Sequence, residues 1–164
     1  MNRRSQYNIY YAYIHSRLVY MAAFWGQANE EDLNGLQVIQ NRAVRALFQI
    51  PIRTNVNAIY KSLNILTVRE LIRLDSLKLV YKIKTRMLDI DLALYYNYNI
   101  HSYNTRTNQH FHILPAATNI GRKRLTSQAL VHYNGLPEYI KRSNNLFVFT
   151  RRVKTLIQKN YVMI

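Results

Sequence analysis

Acidic residues are scarce in this chain of 164 residues: 8 Asp and Glu stand against 23 Lys and Arg, and the formal net charge is +15. Eight carboxylates neutralise at most eight cations one for one, which leaves 23 − 8 = 15 positive charges to solvent or to a partner. The shortage is uneven. From Leu92 to Ile164 the sole carboxylate is Glu138, against Arg106, Arg122, Lys123, Arg124, Lys141, Arg142, Arg151, Arg152, Lys154 and Lys159, a net of 10 − 1 = +9. A field of this size suits the holding of a polyanion. Cysteine is absent, which excludes a disulfide framework and a thiolate zinc site. The 4 glycines and 3 prolines are too few for the many tight turns of a sandwich or barrel. No long hydrophobic run occurs either. The most apolar stretch, Tyr7 to Trp25, is interrupted by Asn8, His15, Ser16 and Arg17, so no membrane span and no membrane partner are expected.

What is present points to helices around a core. Apolar residues make up 49% of the chain, too many for a disordered polycation. Tyr7, Tyr11, Ile14, Leu18, Met21 and Trp25 alternate steps of four and three, which predicts a first helix from about Tyr7 to Trp25 with these residues on its buried stripe. Ile9, Ala12, Val19, Tyr20, Ala23 and Phe24 leave the opposite side apolar too, so this helix calls for cover on most sides. A second helix starts at an Asn29 cap, with Glu30, Glu31 and Asp32 at its positive end. Its buried face is expected at Leu33, Leu36, Ile39, Ala43, Ala46, Leu47 and Ile50, its polar face at Gln37, Asn41, Arg42 and Arg45, and its end at Pro51. A short helix over 56–63 follows. Thr67-Val68-Arg69-Glu70 reads as a capping box that opens a long helix to about Met87. The helical period then fades from about Leu88 to Ile120. Gly121 to Arg124 forms a basic turn, a short helix covers 125–133, and Asn134-Gly135-Leu136-Pro137 is a turn. Asn145 caps a last helix with Leu146, Phe149, Val153, Leu156 and Ile157 inward. The expectation is one all-α domain of about five to seven helices with an irregular middle.

Six segments in order carry a likeness to a known family. They are Ile14-His15-Ser16-Arg17-Leu18-Val19-Tyr20 running to Trp25-Gly26; Leu36-Gln37 with Gln40-Asn41-Arg42-Ala43-Val44-Arg45; Leu63-Asn64-Ile65-Leu66; His101-Ser102-Tyr103-Asn104-Thr105-Arg106; Tyr133-Asn134-Gly135-Leu136-Pro137; and Phe149 with its basic helix. Together the chain resembles the C-terminal end, thumb and beyond, of reverse transcriptases from non-LTR retrotransposons of the jockey and LINE class. The resemblance implies a thumb-like helical region over 1–87 and a basic C-terminal region over 88–164, softly divided. It also implies an RNA, DNA or hybrid duplex as partner, contact with a polymerase palm and fingers, and an intracellular, nuclear location. The family's polymerase holds Mg²⁺ on palm aspartates, but this sequence has no Asp-Asp pair. Its nearest approach, Asp89-Ile90-Asp91, lies at a helix end and reads as solvent-facing turn. No cofactor and no catalytic residue are therefore expected, and the implied role is a non-catalytic fragment of an RNA-directed DNA polymerase. Tyr133 also stands where the family typically has Trp.

The expected nucleic-acid contacts are Arg42, Arg45, Tyr103, Arg106, Arg122, Lys123, Arg124, Arg151, Arg152 and Lys154. The cations suit phosphate contact without base reading, and Tyr103 beside Arg106 is a candidate for base stacking. His101, His110 and His112 lack a neighbouring Cys or carboxylate, so a metal site is not expected there. A reading of another class is a basic helical module that docks a protein through its apolar first helix. A large exposed apolar face on that helix would favour it.

Overall fold

The computed structural model describes residues 2–89, 94–100, 102, 105–118, 121 and 124–160, apart from the side chains of Thr126 and Asn160. The fold is all-α. Helix α1 runs as Arg3–Ile9, a π-helical stretch Tyr10–His15, and Ser16–Val19, and is followed by α2 (Ala22–Trp25), α3 (Glu30–Phe48), α4 (Val56–Leu63) and α5 (Val68–Lys84). Then come α6 (Asn97–Ile100), α7 (Leu125–Asn134), α8 (Glu138–Lys141) and α9 (Leu146–Asn160). These nine helices among the described residues exceed the five to seven expected, because α2, α6 and α8 are single turns. The one β-type pairing described is an isolated antiparallel bridge, Tyr96 with Phe111. Contacts divide the chain into two compact units, Met1–Asp75 with Ile157–Ile164, and Ser76–Leu156.

The first helix departs from its expected course twice. It breaks at Tyr20, which is extended, and Met21, which is left-handed at φ 50°. The break is satisfied locally: the Trp25 indole N–H donates to the freed Tyr20 carbonyl at 2.9 Å. The Asp75 carboxylate accepts the Ala23 amide at 3.1 Å, at the positive start of α2. Gly26 follows because a Cβ there would lie 2.3 Å from Ile72 Cγ2. The second departure is one of phase. The buried stripe enters at Gln6 and Tyr10, one position before the expected Tyr7 and Tyr11. Tyr10 is fully buried, while Tyr11, expected on the buried stripe, is 38% exposed.

The core of the first unit gathers Tyr10, Val44, Ile59, Tyr60, Leu63 and Ile65, with Tyr7, Ile14, Leu47 and Phe48 packed against it. Helix α1 is also tied by polar tips. The Gln6 amide donates to Leu47 O at 2.8 Å and the Tyr7 hydroxyl to Leu63 O at 3.1 Å. The buried face of α3 differs from the expected one. Leu33, Gln40 and Val44 are buried, whereas Ile39 is 62% exposed. Gln40 donates to Tyr10 Oη at 2.9 Å and Leu66 O at 2.8 Å, and its own carbonyl accepts from Gln37 Nε2 at 3.0 Å. Gln37 Oε1 in turn accepts the Val68 amide at 2.9 Å, so a side chain of α3 caps α5. A polar group removed from water needs such partners, and here each amide supplies both a donor and an acceptor. Burial pushes the Tyr10 phenol up to about 12.

The capping signals read from the sequence are all in place. Asn29 Oδ1 accepts the Asp32 amide at 2.8 Å. Asn145 Oδ1 accepts the Val148 amide at 2.8 Å. In the Thr67–Glu70 box, Glu70 Oε2 accepts the Thr67 amide at 2.8 Å while the Glu70 amide reaches Thr67 Oγ1 at 3.4 Å. The end of α3 falls short of Pro51, at a left-handed Gln49.

In the second unit, Phe149, Val153 and Ile140 are fully buried, with Tyr81 and Tyr133 against them. Tyr81 stacks on Phe149 at 4.4 Å, and its hydroxyl donates to Ser143 O at 2.8 Å. One side chain ties the irregular middle to the end of α7. Asn134 accepts the Phe111 amide and donates to the Phe111 carbonyl, both at 2.9 Å, as a neighbouring strand would. The Tyr133-Asn134-Gly135 turn is thus a clamp as well as a helix end.

Candidate nucleic-acid interface

The basic positions singled out from the sequence lie in both units. Arg42 is exposed on α3, and Arg45, half-buried, donates to Thr54 O at 3.3 Å. In the second unit Arg106 is exposed in a turn and Arg124 is exposed just before α7. On α9, Arg151 is exposed. Arg152 is exposed but already oriented: Nη1 donates to Tyr139 O at 2.6 Å and Ser143 Oγ at 3.3 Å, and the guanidinium lies 5.9 Å from the Tyr139 ring centre. These two bonds of Arg152 use Nη1 alone of its three nitrogens. Lys154 is half-buried, and that burial lowers its pKa. Tyr103, Arg122 and Lys123 lie outside the described residues, as do His101, Ile90 and Asp91.

A second set of residues, not singled out by the sequence, meets in a cleft of about 390 Å³ within the second unit. Its lining includes Lys84, Tyr96, Tyr98, Phe111, Tyr133, Glu138, Lys141 and Arg142. Three cations and one carboxylate leave it 3 − 1 = +2. Lys141 Nζ is committed to the fold, donating to Asn134 O at 2.9 Å and Glu138 Oε1 at 3.0 Å. That hydrogen bond from Lys141 holds the Glu138 carboxyl below its ordinary range. Lys84 Nζ donates to Tyr133 Oη at 3.3 Å, and burial lowers its pKa. Burial also raises the Tyr133 phenol, which stays neutral. The Arg142 side chain is 79% exposed, with Nε 4.0 Å from Glu138 Oε2.

Aromatic rings run through this cleft into the core. Tyr98 stacks on Tyr96 at 5.2 Å and 9°, Tyr96 on Phe111 at 4.6 Å and 22°, Phe111 meets Tyr133 at 5.4 Å, and Tyr133 meets Phe149 at 6.2 Å. The signals for the cleft were the Tyr96-Asn97-Tyr98 spacing and the Lys141-Arg142 pair. Nothing local joins them.

Among the described residues no group of three or more His, Cys, Asp or Glu is arranged to hold a metal ion. Asp89 is exposed, and the sequence contains no Asp-Asp pair. No helix among the described residues is long and apolar enough to cross a membrane. The chain matches no family model, no curated protein and no solved structure.

Proposed function

We propose that the chain binds nucleic acid through phosphate contacts, as the non-catalytic C-terminal part of a retroelement reverse transcriptase, working inside the cell and in the nucleus. The observation that carries this reading is the excess of cations, with Arg42, Arg106, Arg124, Arg151 and Arg142 held out from the fold and only eight carboxylates to balance 23 cations. The polymerase identity rests on the ordered sequence segments. Several of them have physical work in this fold: Gln37 and Gln40 in the amide network, Leu66 as its carbonyl partner, Leu63 as the acceptor of the Tyr7 hydroxyl, Asn134 as the clamp. The test is fluorescence anisotropy against duplexes of unrelated sequence over a salt series. Similar affinities that fall steeply with salt are expected. No binding at low salt, or a strong preference for one sequence, refutes the reading.

A second reading has its own observation. Tyr13 is 66% exposed, Tyr20 73%, Met21 49% and Phe24 47%, an apolar surface along the first two helices. Such a surface suits a protein partner, and the palm and fingers of a parent polymerase are the partner that the resemblance implies.

A further inference from the structure

We infer that the cleft of the second unit seats an unpaired nucleobase of a single strand, stacked on Tyr98, with the adjoining phosphate on Arg142 and Lys84. This deepens the nucleic-acid reading and rests on it. The geometry starts at the ring itself. Tyr98 is 53% exposed although one face is stacked on Tyr96 at 9°, so the exposed area belongs to the other face and the edges. A base has a π face that stacks on such a ring whatever its sequence, and an exposed ring held rigidly loses little freedom when it does so.

Tyr98 is held rigidly for a residue of an irregular segment. The Tyr98 amide donates to Asn108 O at 3.3 Å, and the Asn97 amide to His110 O at 3.0 Å. The His112 amide donates to Tyr95 O at 2.7 Å, and Asn97 Nδ2 to Thr107 O at 2.9 Å. Beneath it, Tyr96 rests on Phe111, which is 3% exposed and clamped by Asn134. The platform is therefore anchored to the core, as a binding group must be to act without prior ordering.

The cations complete the site. Lys84 and Arg142 line the same cleft as Tyr96 and Tyr98, and neither is used up by its contacts. The Lys84 ammonium gives one of three donors to Tyr133, and the Arg142 guanidinium meets Glu138 only through Nε at 4.0 Å. An aromatic platform beside two such donors matches a base and its phosphate. Along a duplex the bases are already stacked on each other, so away from its two ends it presents no free base face to Tyr98.

The test uses the whole chain, labelled strands and four probes: a single strand of about eight nucleotides, the same strand with abasic sites throughout, a blunt duplex, and a free mononucleotide as competitor. The Tyr98→Ala variant is expected to bind the single strand about 5- to 150-fold more weakly, and the abasic strand and the duplex as the parent chain does. Tyr98→Trp should restore strand binding. Because Tyr98 is more than half exposed, both variants should keep the parent's helical signal, which circular dichroism checks. A 4-thiouridine strand should crosslink to the peptide that carries Tyr96 and Tyr98. Equal binding of the normal and abasic strands, or no effect of Tyr98→Ala on a strand that binds, overturns the inference and leaves the duplex reading standing. A mononucleotide that competes as well as the strand overturns it in favour of a free-nucleotide pocket. Failure of both strand and duplex to bind overturns both readings.

Discussion

Arg151, Arg152 and Lys154 share a helix that carries no acid, and their removal gives a graded test of phosphate contact. On duplex DNA each neutralised phosphate contributes about 0.9 to the slope of log affinity against log salt, so loss of all three flattens it by up to about 2.7. Between about 50 and 200 mM salt, that difference makes the parent chain lose roughly 40-fold more affinity than the triple alanine variant. The three contributions are unequal. Arg151 is exposed and should give nearly its full share. Arg152 is exposed too, so it should give a similar share, but its bonds to Tyr139 O and Ser143 Oγ also hold α8 to α9. Its truncation should therefore cost about 1 kcal/mol of stability as well. Lys154 is half-buried and should contribute least. Anisotropy titrations at several salt concentrations give the slopes, and urea melts followed at 222 nm give the stabilities. Since Phe149, Val153 and Ile157 are untouched, the triple variant should keep its helix. An unchanged salt slope in that variant refutes the reasoning, and these residues are then a solvated face.

The remaining predictions concern the fold and its competence. Gln40→Leu should destabilise the first unit by about 3 kcal/mol, because it strands Tyr10 Oη and the Leu66 carbonyl in the core; adding Tyr10→Phe should recover part of that loss. Strict additivity of the two changes in urea melts would show that the amide network carries no coupling. Hydrogen exchange should find residues 7–24 opening more readily than 68–83, given the break at Met21 and the exposed rings around it. Equal protection of the two segments would count against an uncovered first helix. Primer extension on an RNA template with Mg²⁺ or Mn²⁺ should give no incorporation, since no paired aspartates are present to hold two metals. Extension above background by the pure chain would overturn this.

Features governed by neighbours in sequence were legible from residue types alone: the all-α class, the caps at Asn29, Thr67 and Asn145, and the inward face of α9. Some departures arise because hydrophobic periodicity assigns polar residues to the surface. Gln37 and Gln40 were hidden from it because their amides are satisfied by each other, by Tyr10 and by two backbone groups. Tyr11 was misplaced because the buried stripe enters through Gln6, a polar residue, and Tyr10, one position before the expected Tyr7 and Tyr11. The break at Met21 carries no glycine or proline and depends on Asp75, distant in sequence. For the interface, exposed cations could be named one by one. The cleft could not, since its lining runs from Lys84 to Arg142 and is assembled only by packing.

Asn134 precedes Gly135, and that dipeptide ages chemically: the glycine amide nitrogen attacks the asparagine side-chain carbonyl, ammonia leaves, and water opens the resulting cyclic imide to aspartate or isoaspartate. Folding guards against it here. The Gly135 amide is engaged with Val131 O at 3.1 Å, and both ends of the Asn134 amide are held by Phe111. Each excursion through the unfolded chain removes that protection. A chain that returns as aspartate has lost the donor to the Phe111 carbonyl and sets a negative charge against it. The clamp beneath the aromatic column then no longer closes, so the age of a molecule, measured in unfolding events, is written irreversibly into its cleft.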